Sequence, residues 1–298
     1  MTLPFAVSDV CLVAAQAATV ALPMAPRIRW TERLRSGWWA LLPLASIVVV
    51  IFGIQAASQS ARALTYLALV TVPPFAVAAL ARLARGGRPP LALAVLPLFA
   101  VAWADRHGLI GKACTIALSA LACVTLGVLL AQVAPRLLLK VGIVLMAIGD
   151  TVLVVAQQLQ APNAVLNAAA PGLGLPQFQR ALFGSAVMGF GDFFIAAVFG
   201  AVLATEGRRQ DRAARLTLVL ALLFDLLFFA TDLLPATVPV ALALIASELV
   251  RQQRPVARAG PGPRPDWRSE AGRPRAAAAA ARRGRAHAPP GGATPSGS

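Results

Sequence analysis

The chain has 298 residues, of which 58% are hydrophobic and 13% are charged, whereas about a quarter of the residues in a soluble domain are charged. This composition excludes an ordinary soluble enzyme and favours a membrane protein. The formal net charge of +15 comes from Lys and Arg clusters beside apolar runs, which suit anionic lipid headgroups better than a nucleic-acid groove, so we expect no nucleic-acid partner.

Apolar segments follow one another along residues 1–250. A helix needs roughly 20 mostly apolar residues to cross a bilayer whose hydrocarbon core is about 30 Å thick, and most of the segments approach that length. We therefore predict an all-α, polytopic membrane helix bundle in which the lipid bilayer is the surrounding solvent. The nine predicted transmembrane helices span about 4–25, 38–57, 62–81, 89–104, 113–134, 138–158, 181–204, 214–232 and 235–250.

Residues 251–298 form a second region, rich in Ala, Arg, Pro and Gly. Such a composition cannot bury enough apolar surface to fold alone, so we predict a disordered basic tail. An arm that contacts anionic lipids or a partner is the alternative. The Cys and His residues are isolated and show no disulfide or metal-ligand spacing, so we predict no cofactor and no metal.

Lys and Arg lie mainly on one side of the predicted bundle. Outside the tail, thirteen fall in loops on the side of the C-terminus and four on the other side, and the tail adds ten to the first group. Basic residues are enriched in cytoplasmic loops. We therefore predict a multi-pass protein of a prokaryotic plasma membrane, with its N-terminus outside and its C-terminus in the cytoplasm.

Three carboxylates lie deep in the apolar segments: Asp150, Asp192 and Asp225. Carboxylates inside a membrane are costly and are by default candidates for function. Asp150 is ten residues beyond Lys140 and Asp192 is fourteen before Glu206, or about 15 and 21 Å along a helix. Both depths are near the bilayer midplane, on consecutive antiparallel helices, so we predict that these two carboxyls meet.

Glycines surround this predicted pair. Gly149 precedes Asp150, and Gly189 lies three residues before Asp192, which would place it on the same helix face. Small side chains let membrane helices approach closely. Two carboxyls brought together in a medium of low dielectric constant cannot both ionise easily, so a close pair would share one proton.

The same residues resemble a known family. Gly189-Phe190-Gly191-Asp192 is similar to the Gly-x-Gly-Asp motif of presenilin and signal peptide peptidase, and Met146–Asp150 resembles the segment with that family's first catalytic aspartate. Pro235-Ala236-Thr237 stands where the family has Pro-Ala-Leu, at the start of the ninth helix. The three motifs are spaced by 42 and 43 residues. The chain departs from the family at Gly149, where Tyr is usual, and at Thr237.

The resemblance implies an intramembrane aspartyl endopeptidase that cleaves transmembrane helices or signal-peptide remnants. Asp150 and Asp192 would be the catalytic pair, one as general base on a water and one as general acid. The segment from Pro235 to Thr237, together with Gly189 and Gly191, would shape the substrate site. The predicted orientation is that of signal peptide peptidases, which implies substrates whose N-termini are cytoplasmic.

Other functions remain open on the sequence. A proton-coupled carrier could use the three deep acids as a relay, although no inverted repeat is visible. A prepilin peptidase also has Gly-x-Gly-Asp, but usually with a Lys where this chain has Phe194. A catalytically inactive relative is compatible with the departures at Gly149 and Thr237. For Asp225 we favour a structural role as a polar link between helices.

Overall fold

The structure of the protein is a computed structural model. It confirms that the chain is mainly helical. The second predicted segment, residues 38–57, and the tail beyond Gln252 lie outside the described residues, so the count of nine helices stays a prediction. The described residues are 4–26, 58–157, 165, 168–169, 171–229 and 234–252, without the side chains of 58–61 and 228–229.

Eight α-helices lie in the described part of the chain, and short irregular turns flank several of them. A π-helical turn, Ala79–Leu83, follows the second helix, and 3-10 turns occupy Pro89–Ala94, Gly172–Gly174 and Leu226–Phe229. The helices are α1 (Phe5–Ala21), α2 (Ser58–Ala78), α3 (Val95–Ala104), α4 (Leu109–Val133), α5 (Arg136–Val155), α6 (Phe190–Thr205), α7 (Gln210–Asp225) and α8 (Val238–Gln252).

Three of the helical stretches are long and apolar enough to cross a membrane: Arg62–Leu83, Leu109–Val133 and Arg136–Val155. The stretches Phe5–Ala21, Pro89–Ala104 and Phe190–Thr205 are apolar but shorter. Three helices therefore have the length and apolarity that a membrane span requires, and the remaining spans are still predictions.

The predicted helix at 181–204 is wrong in its first part. Residues Arg180–Phe183 and Ala186–Gly189 are strands, β1 and β2, paired antiparallel so that Phe183 lies opposite Ala186. The loop between them has two residues and begins with Gly184, whose φ of +54° is the left-handed value that such hairpin turns need. Apolar content alone does not separate a short strand from a helix, which explains the error.

Helix α6 forms the centre of the bundle. It packs against α1, α4 and α5, and most of its side chains between Phe193 and Leu203 are buried. Two glycines permit this packing: a Cβ on Gly200 would lie 2.1 Å from the carbonyl oxygen of Val20, and one on Gly127 would lie 2.7 Å from the carbonyl carbon of Ala197. The apolar core therefore encloses the helix that begins with the Gly-x-Gly-Asp motif.

An ion-pair network joins three helices at the end of α6 remote from Asp192. Lys140 of α5 contacts Glu206, which follows α6, and Glu248 of α8, the latter at 3.1 Å. Arg208 contacts both acids. All four side chains are at most 26% exposed. The network thus ties together the two helices that carry Asp150 and Asp192 and the helix that follows Thr237.

Candidate active site

Asp192 lies at the point where the hairpin becomes helix. It is the third residue of α6, and its Oδ2 accepts a hydrogen bond from the backbone N–H of Gly189, 3.0 Å away. An acid at this position often caps a helix in this way. A Cβ on Gly189 would lie 3.2 Å from the same oxygen, so a larger residue there would press on the carboxyl group. The expectation that Gly189 is itself helical is wrong, because it ends β2.

The residues from Asp192 to Thr205 lie along one continuous helix that Glu206 follows directly. The distance of about 21 Å between Asp192 and Glu206 therefore still holds. On the other side of Asp192, the residues from Arg180 to Gly189 form the hairpin and not a further stretch of helix. Backbone that is not helical is tolerated at membrane depth only where it is buried in protein or lines a water-filled cavity. The hairpin packs against α1 and α4.

Asp150 lies on α5 and is held by the segment that precedes α8. The hydroxyl of Thr237 donates a hydrogen bond to Asp150 Oδ2 at 2.8 Å, and the backbone N–H of Thr237 also bonds to that carboxyl group. Thr237 is 4% exposed. A leucine, the residue of the family motif, has no group for the first of these bonds. The departure at Thr237 therefore supplies Asp150 with a donor.

The two aspartates of the predicted pair come close enough for their charges to interact. They are partly exposed and are carried by different helices, α5 and α6. The structure thus brings together Asp150, Asp192 and Thr237, although 87 residues separate the first and the last. Two carboxyls within electrostatic reach of each other do not both ionise easily in an apolar setting, so one can stay protonated while the other activates a water.

Open space lies at the two glycines that neighbour the acids in sequence. A Cβ on Gly149 or on Gly191 would meet no atom of the described residues within 4 Å, and Gly191 is exposed. The tyrosine that the family has at position 149 would therefore meet no obstacle at its Cβ, and its absence leaves that space unfilled.

Gln16 is a site residue that the sequence analysis missed. Its side chain on α1 is 1% exposed, and its Nε2 donates to the backbone carbonyl oxygens of Ala236 at 3.0 Å and of Asp192 at 3.4 Å. Pro235, the first residue of the motif that contains Ala236, is buried. The available signal was a long polar side chain within an apolar helix.

Asp225 is the last residue of α7, a helix that carries none of the three motifs. Its carboxyl group faces that of Asp9 on α1, close enough for a hydrogen bond between them. A hydrogen bond between two carboxyls requires that one of them keeps its proton. The structure therefore contains a second acid pair, which joins α1 to α7. The sequence analysis did not predict a partner for Asp225.

The part of the chain that the structure describes contains no group of three or more His, Cys, Asp or Glu side chains that could hold a metal ion. The groups that meet at the candidate site are two carboxyls, a hydroxyl group and backbone amides. These groups can move protons and bind a carbonyl oxygen.

Comparison with known proteins finds no match for this chain. No protein-family model matches it, and neither a curated protein nor a solved structure shows significant similarity to it. The resemblance to presenilin and signal peptide peptidase therefore rests on the three motifs alone and stays a prediction.

Proposed function

We propose that the protein is an intramembrane aspartyl endopeptidase of the presenilin and signal peptide peptidase type, with Asp150 and Asp192 as its catalytic pair. The observation that carries the proposal is that residues from three separate motifs interact with one another. Thr237 bonds to Asp150, and Asp150 interacts electrostatically with Asp192. If these aspartates were only polar links between helices, we would not expect their contacts to join the same three segments that resemble the family's motifs.

The reaction follows from one proton shared by two carboxyls. The ionised carboxyl removes a proton from a water molecule as the water oxygen attacks the carbonyl carbon of the peptide bond. The protonated carboxyl gives its proton to the carbonyl oxygen, which forms a tetrahedral diol. Collapse of the diol breaks the C–N bond, and a proton passes to the leaving nitrogen, so the products are an amine and a carboxylic acid. The proton belongs to the pair jointly.

A substrate helix must unwind before cleavage, because its backbone groups are hydrogen-bonded within the helix. The hairpin that leads into Asp192 supports this step. Extended peptides commonly bind by adding a strand to an open sheet edge, and in the described part of the chain the sheet consists of β1 and β2. Val187 on β2 is 50% exposed. An unwound substrate segment beside the hairpin would reach the pair through the space next to Gly189 and Gly191.

The proposal includes a topology. Nine helices, with the N-terminus outside and the C-terminus in the cytoplasm, would orient α5 outward and α6 inward. The loop near Gly172 would then be outside, and substrates with cytoplasmic N-termini would fit the resulting polarity. The basic tail would contact anionic lipids on the inner surface.

Cysteine labelling tests this topology. In a background without Cys11, Cys114 and Cys123, we expect a membrane-impermeant thiol reagent to label Gly172→Cys in intact cells. Ser296→Cys should react only after permeabilisation. The reverse pattern would overturn the topology and the substrate polarity inferred from it, while leaving the acid pair in place.

The direct test uses purified protein in lipid vesicles with transmembrane peptides as substrates. We expect wild type to cleave such peptides within their apolar region, as seen by mass spectrometry, and Asp192→Ala to leave them intact. A photoreactive transition-state analogue of aspartyl proteases should label wild type and should fail to label the variant. This labelling does not depend on whether the chosen peptides are good substrates. Absence of both cleavage and labelling in wild type would refute the proposal.

A proton-coupled carrier is the second candidate, and the observation in its favour is the second acid pair, Asp9 with Asp225. Chains of intramembrane acids are typical of proton relays. In that case Asp225→Asn would abolish function as completely as Asp192→Asn, and the function lost would be proton-driven solute uptake into vesicles. Peptide cleavage that survives Asp225→Asn would exclude this candidate.

A further inference from the structure

Gln16 contacts the candidate site, although it belongs to none of the three motifs and has no role in the proposed reaction. It is buried on α1, which carries none of the three motifs. Its amide nitrogen has two hydrogens, and both point to backbone carbonyls of the site, one at Ala236 and one at Asp192. The bond to Ala236 has an ordinary length, and the bond to Asp192 is long and correspondingly weak.

We propose that Gln16 is a positioning residue that holds the segment before α8 against the start of α6 and so fixes the separation of the two catalytic carboxyls. The inference rests on the proposed function. Gln16 contacts neither carboxyl group, so it acts on the reaction only through the backbone that it holds.

The chain of contacts explains how this works. Ala236 is followed directly by Thr237, and Thr237 bonds to the carboxyl group of Asp150. A tie between Gln16 and Ala236 therefore fixes Thr237, and through it the carboxyl group of Asp150. The second hydrogen of the same amide reaches the residue that bears the other carboxyl group. One side chain thus connects both halves of the acid pair.

The chemistry of a buried amide suits this role. A carbonyl oxygen that loses its donor in an apolar interior keeps the full cost of desolvation, so the tie to Ala236 resists separation of the two segments. Methionine has nearly the same length as glutamine and has no donor, so Gln16→Met removes the hydrogen bonds while filling the space. Asparagine keeps the amide but is shorter by one methylene group, and it cannot span both carbonyls.

A cross-linking experiment tests the position without relying on catalysis. Asp150→Cys and Thr237→Cys, in a background without native cysteines, place two thiols where the hydroxyl and the carboxyl group now bond. With Gln16 present we expect rapid disulfide formation under mild oxidation. Gln16→Met and Gln16→Asn should each slow it about fivefold, the factor that matches loss of one neutral hydrogen bond.

Thr19→Val is the matched control. Thr19 lies three residues from Gln16 on α1 and is fully buried, and among the described residues its hydroxyl bonds within the helix, to the carbonyl oxygen of Ala15. This substitution disturbs the same helix at the same depth without touching the site. With Thr19→Val, the rate of disulfide formation should equal that of the double-cysteine protein with α1 unchanged. A fivefold slower rate in this control would show that any substitution in α1 slows the cross-link, and would count against a specific role of Gln16.

The pH profile of cleavage gives the second measurement. Coupling between two close carboxyls separates their titrations and broadens the bell-shaped profile. If Gln16 fixes their separation, Gln16→Met should narrow the profile as well as lower kcat, whereas a variant that is merely less stable keeps the profile of wild type. An unchanged cross-linking rate and an unchanged profile in both Gln16 variants would overturn the proposal. If wild type cleaves no peptide, the proposed function fails, and cross-linking still decides the role of Gln16.

Discussion

Two acid pairs join helices in this protein, and they differ in their surroundings. Asp150 and Asp192 receive hydrogen bonds from a hydroxyl group and from backbone amides of Thr237 and Gly189. In the other pair, Asp225 Oδ2 has no hydrogen-bond partner among the described residues. Carboxyl pairs alone therefore do not define a site here, and the supply of donors distinguishes one pair from the other.

The residues beside the two pairs also differ. Next to Asp150 and Asp192 lie the open positions of Gly149 and Gly191, and a strand hairpin leads into α6. The pair of Asp9 and Asp225 lies between α1 and α7, two helices that pack along each other. All four aspartates are half-buried, so exposure does not separate the pairs. The motif residues around the first pair favour it as the site, and we assign the second pair a linking role.

The largest expected effect is loss of cleavage when either carboxyl group of the first pair becomes an amide. Asp150→Asn and Asp192→Asn should each lower kcat by roughly a hundredfold to ten-thousandfold, the range that general acid–base catalysis contributes. Asparagine at position 192 still offers an oxygen to the N–H of Gly189, so the cap on α6 remains. The measurement is cleavage per folded molecule in vesicles.

Asp9→Asn is the matched control, because it makes the same chemical change in the other pair. It should leave cleavage within about threefold of wild type, because Asp9 supplies neither the general acid nor the general base of the proposed reaction. If Asp150→Asn keeps most of its turnover, the assignment of the catalytic pair is wrong.

The second expected effect concerns Thr237. Thr237→Val has nearly the same shape and lacks the hydroxyl, so it removes the 2.8 Å bond to Asp150. Bonds to charged groups contribute about 1.5–3 kcal/mol, and we expect kcat to fall at least about tenfold. Thr237→Ser keeps the hydroxyl and should cleave nearly as wild type does. Equal activity of the valine and serine variants would show that the hydroxyl has no role.

Much of this comparison could be predicted from the sequence. A helix that crosses a bilayer needs a long apolar run, so the apolar runs predicted a mainly helical chain. Three helices have the required length and apolarity. The proximity of Asp150 and Asp192 was predicted from counts of residues along antiparallel helices. The functional assignment of that pair is still a prediction.

Features that depend on packing were missed. The strands before α6 looked like part of an apolar helix, although Gly184-Ser185 between two four-residue runs is a hairpin signal. Gln16 and Asp9 lie on α1, more than 170 residues from their partners, and a single sequence contains nothing that connects them. Which side chain meets which carbonyl is decided by the tertiary fold.

The smallest expected effect lies in the second pair. Its two carboxyls hydrogen-bond through one retained proton, and Asp225→Asn replaces that proton with an amide N–H, so the link to Asp9 survives. Asp225→Leu removes the link and leaves the carboxyl group of Asp9 without its partner. We expect the leucine variant to lose about 1 kcal/mol in free energy of unfolding, the low end of the cost of an unsatisfied polar group, because Asp9 is only half-buried. The asparagine variant should lose less than that, and both should cleave normally per folded molecule. Melting in detergent, with active molecules counted by the transition-state analogue, separates stability from turnover. A complete loss of cleavage in the stable asparagine variant would contradict the linking role and would place Asp225 in the reaction.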